Sequence, residues 1–134
     1  MNIIRFIFAL LLGLLIGSAV NMGLILISGK VIPPPAGADA TTMEGLKASI
    51  HLFKPQHFLF PFLAHALGTL VGAFTAARLT SIGRTGIAFT VGGLFLVGGI
   101  INCVLLPAPT WFMVVDLLAA YLPMAWIGRK MAPR

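Results

Sequence analysis

The sequence predicts an all-α membrane protein: four transmembrane helices in a compact bundle, with a short extracytoplasmic amphipathic helix between the first and the second. Three observations predict it. Hydrophobic residues make up 59% of the chain and charged residues only 9%. A soluble domain has about 25% charged residues, so too few charges are present to cover a water-facing surface. The apolar residues gather into four runs, each near the ~20 residues that cross a bilayer as a helix. Finally, Arg5, Arg78, Arg84, Arg129, Lys130 and Arg134 stand at the ends of those runs, where membrane-flanking cations belong. A net charge of +6 could suggest nucleic acid, but a nucleic-acid footprint is a basic patch on one face. These cations are dispersed along the chain instead, so no nucleic-acid partner is expected. The 134 residues make one domain.

The first span is expected over about residues 3–28. Its start resembles a signal peptide in composition, but the apolar run continues about ten residues past Ser18, long enough for a full crossing. Gly13 and Gly17 form a GxxxG pair that lets another helix approach closely. The segment of about 29–55 is a loop. Its Pro33-Pro34-Pro35 run favours extended polyproline backbone. The stretch from Thr41 to Phe53 then reads as an amphipathic helix, with Thr41 and Glu44 as a capping box. Met43, Leu46, Ile50 and Phe53 form its apolar stripe. Such a helix lies at the interface or over the mouth of the bundle.

The second span, about 56–78, carries two histidines and a row of small residues. Ala64, His65, Gly68, Thr69, Gly72 and Ala76 share one face at 100° per residue, and Leu59, Leu63, Leu67, Leu70 and Phe74 the other. The first face suits helix contact and the second suits lipid. The third span, about 85–106, holds five glycines, tolerated in a membrane as helix-contact positions. The fourth, about 110–127, has Trp111 and Trp126 near its ends as interfacial anchors, and Pro123 is expected to kink it. Four spans put both termini on one side. The positive-inside rule makes that side cytoplasmic, with Lys30, Lys47 and Lys54 in the long loop counting against it. The expected location is a cell inner membrane, multi-pass.

Depth then aligns the intramembrane polar residues. Asn21, His65, Asn102 and Asp116 each fall roughly 6–13 Å below the outer end of their span, at 1.5 Å per residue. Each also lies on its helix's small-residue face. Asp116 is the only acid within a span and is expected to face the bundle interior, with a partner or in its neutral form; His65 is the best available partner. His57 is expected higher up, at the mouth, with Glu44 and His51 on the loop helix closing the site from above. The expected ligand-contacting set is therefore Asn21, His65, Asn102, Asp116, His57 and Glu44. Three functions fit. The first is a pocket that binds or conducts a small polar solute or proton. The second is a non-catalytic structural or assembly subunit of a membrane complex, with a polar cluster that only fixes helix packing. The third is a membrane enzyme using His65 and Asp116 as an acid–base pair. No nucleotide-binding, zinc-protease, redox or serine-hydrolase motif occurs, and no cofactor or metal is expected. Cys103 reads as packing. The partners expected are the lipid bilayer and a second copy, a homodimer joined through small-residue faces.

Overall fold

With no proline and one cation before its last turn, the first apolar run has nothing to interrupt a helix, and α1 spans Ile3–Val31. Asn2 caps it, its Oδ1 accepting from the Arg5 amide at 2.9 Å. The helix stops at Ile32, which is extended, because a residue before proline is pushed out of the helical region. These features come from a computed structural model that describes residues 2–134. The described residues are helical or irregular, with no strand. α2 is Met43–Ser49, continued by a 3-10 turn at Ile50–Leu52. A second 3-10 turn, Pro55–Phe58, leads into α3, Leu59–Leu79. α4 is Arg84–Leu105, α5 Thr110–Ala119 and α6 Leu122–Met131.

Four passes are long and apolar enough to cross a membrane: Ile3–Val31, Pro55–Leu79, Arg84–Leu105 and Thr110–Met131. The chain is thus a multi-pass membrane protein by length and composition. Successive passes run in opposite directions. Arg5 Nε reaches Leu79 O at 3.0 Å and Arg84 Nε reaches Ala77 O at 2.9 Å, so the start of α1, the end of α3 and the start of α4 share one end, here the arginine end. The opposite end carries α2 and a cluster of Ile50, Phe58 and Phe112.

Two local expectations are corrected. The cap of α2 is Thr42, whose Oγ1 accepts from the Gly45 amide at 2.9 Å, not Thr41 paired with Glu44. Thr41 is already engaged: its amide and hydroxyl donate to Asp39 Oδ1 at 2.9 and 2.6 Å, an Asx-type turn that ends just before the helix. The fourth pass is broken rather than kinked. α5 stops at Ala119 and α6 restarts at Leu122, with Tyr121 at φ −115°, ψ −80°. Pro123 falls in the first turn of the new helix, where its missing N–H costs nothing.

α3 is the central helix, packed against α1, α4 and α6. Its seam with α1 is built from four glycines. A Cβ on Gly13 would sit 2.7 Å from Gly72 O, and one on Gly17 would sit 2.6 Å from Gly68 O. The relation is reciprocal: Gly68 and Gly72 face the carbonyls of Gly17 and Gly13 at 2.9 and 2.8 Å. Only glycine allows backbones this close. Below the seam the core is small as well, with Ala9, Ala73, Ala76, Ala88 and Ala125 fully buried around Ile87 and Val91. The large side chains point outward; Val104 is 80% exposed and Leu118 71%. Small inside and large outside is the inverse of a water-soluble domain and suits a lipid solvent.

Candidate functional site

At the α2 end the helices part. α1 has no buried residue beyond Gly17, and its contact with α4 is sparse. The space so left holds two neighbouring compartments that share lining residues. The one beneath α2 has a volume of about 350 Å³. Its walls are apolar: Met43, Leu46 and Ile50 from the stripe above, Phe58, Phe112 and Met113 from the side. Its floor is polar, formed by Asn21, His65, Asn102 and Asp116. The deeper compartment, about 190 Å³, lies between α1, α3 and α4 and is bordered by Ser18, Thr69 and Tyr121. Asn21, His65, Gly99 and Asn102 border both. His65 therefore stands where the two compartments meet.

His65 stands in α3, one turn before Gly68 and two before Gly72. Its Nδ1 lies 2.8 and 3.0 Å from the two carboxylate oxygens of Asp116. Asp116 is buried, 3% exposed. A carboxylate accepts, so Nδ1 carries the proton, and in a neutral ring Nε2 keeps its lone pair. No residue among those described hydrogen-bonds Nε2, and no buried side-chain nitrogen or oxygen is left unpaired. The free nitrogen therefore opens to the cavity. Tyr121 completes the cluster. Its hydroxyl donates to Asp116 Oδ2 at 3.2 Å, and its ring stacks on His65 with centroids 5.8 Å apart and planes at 24°. Gly99 leaves the space for it: a Cβ there would lie 2.5 Å from the Tyr121 hydroxyl. Thr69 Oγ1 donates to the His65 carbonyl at 2.8 Å, holding the α3 backbone on which the histidine stands.

Of the six residues expected at the site, four border one cavity: Asn21, His65, Asn102 and Asp116. His57 does not reach it. Its Nδ1 accepts from the Lys54 amide at 2.9 Å, closing the turn that starts the second pass, and its ring leans on Phe53 with centroids 5.5 Å apart. Glu44 is exposed in the first turn of α2, where its charge complements the helix dipole, and it borders neither compartment. The apolar stripe of the same helix is what faces the cavity.

Tyr121 was missed for a physical reason. Residues 116 and 121 would lie about 140° apart on a continuous helix, so no pairing is legible until the break at 120–121 is known. Cys103, expected as packing, borders the compartment beneath α2. Among the described residues no three His, Cys, Asp or Glu side chains converge to hold a metal ion. Comparison with protein-family models, with curated proteins and with solved structures finds no match.

Proposed function

We propose that this is a small transporter-like or channel-like membrane protein that takes a small solute or a proton into the cavity beneath α2, with His65 as the group that meets it. One observation carries the reading: Asp116 holds His65 by Nδ1 while Nε2 faces the cavity without a protein partner. A histidine so held can accept a hydrogen bond or a proton at Nε2. The apolar walls narrow the solute to one with an apolar body and a single polar end, because a fully polar molecule would lose hydration against Met43, Leu46 and Phe112 without compensation.

In this reading the α2 end faces outward and both termini lie in the cytoplasm of an inner-membrane protein, supported by the concentration of arginines at the other end. A homodimer belongs to the same proposal, but it would need a new face. Gly13, Gly17, Gly68 and Gly72 are taken up within the chain, whereas the outward side of α4 at Gly86 and Gly93 has nothing within 4 Å.

Cys103 provides the test, as the chain's only cysteine. In the folded protein in vesicles, a small cationic methanethiosulfonate should modify it when added from the α2 side. Modification only after denaturation would mean that water does not enter the cavity, which leaves the second reading. That reading, a purely structural cluster, is favoured by the complete pairing of Asp116 with His65 and Tyr121.

A further inference from the structure

Six of the nine Lys and Arg residues lie at the end remote from α2. All three acids, Asp39, Glu44 and Asp116, lie elsewhere. Among the described residues no lysine or arginine is within ion-pair distance of an Asp or Glu. No Asp or Glu side chain lies at the arginine end.

Arg78, Arg84, Arg129 and Arg134, with Thr80 and Ser81, line an open surface depression of about 570 Å³. Arg84 is fixed within it. Its Nε donates to Ala77 O at 2.9 Å, and its Nη2 to Ala132 O at 3.3 Å and to Pro133 O. Three backbone carbonyls thus hold one edge of the guanidinium, leaving Nη1 free among the described residues. Arg129 is steadied through Nε, 3.3 Å from Thr85 Oγ1. Arg78 makes no hydrogen bond to the described residues and is exposed. Guanidinium donors match the oxygens of phosphate, and Arg is the usual choice where planar recognition matters.

The level of the depression selects the source of the phosphate. Arg78 stands in the last turn of α3 and Arg84 is the first residue of α4, so the depression lies where two apolar passes end. In a bilayer that is the headgroup level, where basic pockets between helices take anionic lipids. We infer that the Arg78–Arg84–Arg129 depression binds the phosphodiester of an anionic phospholipid. The site is independent of the cavity beneath α2.

The full chain, purified in neutral detergent, tests this by titration with short-chain phosphatidylglycerol, short-chain phosphatidylcholine and inorganic phosphate, with bound species read by native mass spectrometry. One phosphatidylglycerol should be retained while phosphatidylcholine is released. Arg78→Gln with Arg129→Gln should weaken that retention about 30-fold, roughly fivefold for each charge removed. Lys47→Gln, a cation at the other end, should leave it unchanged. Should the double variant fail to fold, Arg78→Gln alone is read for the fivefold loss, since the Arg78 side chain makes no hydrogen bond among the described residues. Equal retention of both lipids, or retention unaffected by the arginine substitutions, overturns the inference. Inorganic phosphate that displaces phosphatidylglycerol at equal concentration also overturns it, in favour of a soluble phosphate.

Discussion

Along α1, two kinds of neighbour follow each other within four residues. At Gly13 and Gly17 the helix touches the backbone of α3, with the glycine carbonyls of each helix facing the glycines of the other. At Asn21, one turn on, it still meets α3 at Gly68 and also borders a cavity, whereas Gly23, about 120° round the helix from Gly17, has nothing within 4 Å. The same helix is glued on its small-residue face and free on the other. Residue size decides where the helices close, because lipid offers no hydrophobic drive for association and only close packing does. The polar residues then occupy the level at which closure stops. The seam is what holds the molecule together, and the open side is what leaves room for a ligand.

The sharpest way to break that contrast is to place the same side chain on both sides of it. Gly17→Val drives a Cβ into Gly68 O and should cost about 3 kcal/mol, the upper range for overpacking. Gly23→Val meets nothing within 4 Å and should stay within about 0.5 kcal/mol of the parent. Reversible unfolding in mixed micelles measures both. Equal costs would mean that the seam is not where stability resides.

The polar side should contribute less. Asp116→Ala removes the acceptor of His65 Nδ1 and of the Tyr121 hydroxyl. Interhelical hydrogen bonds in membranes contribute about 0.6–2 kcal/mol, so a loss near 1–2 kcal/mol is expected in the same assay. A cost above that of Gly17→Val would reverse the comparison and make the cluster the main fastening.

The smallest effect concerns the strap that leads to α2. The Thr41 hydroxyl, and then its amide, hold the exposed Asp39 carboxyl below its ordinary value. A carboxyl depressed in the folded state stabilises above its unfolded value and loses that contribution as pH falls through the folded one. The Asx turn should therefore hold at neutral pH and loosen only in acid below the usual carboxylate range. The Thr41 amide resonance, followed by NMR, should move there and not between pH 5 and 8.

Much of this was legible in the chain because membrane folding obeys few rules. Apolar runs gave the four passes, with α1 extending to Val31 where the reading stopped near 28. Depth combined with face brought His65 to Asp116, since both are fixed by a rise of 1.5 Å and a turn of 100° per residue. What failed depended on irregular backbone. The break at Ala120–Tyr121 hid Tyr121, the Asx turn at Asp39 moved the α2 cap by one residue, and the 3-10 turn at Pro55–Phe58 drew His57 into a backbone cap. A charge pattern also cannot say that arginines converge on a depression, because their convergence is set by carbonyls at the ends of α3 and α6.

The central position of α3 has a consequence for how the chain is made. Synthesis delivers α1 before its partner α3, which emerges only after the Pro33–Lys54 segment has been translated. During that interval α1 must reside in the bilayer without α3. It is the most apolar of the four passes, suited to solitary insertion, whereas the pass carrying His65 and the one carrying Asp116 are the two least apolar. Their order of arrival places a docked predecessor beside each before its polar residue has to be sheltered.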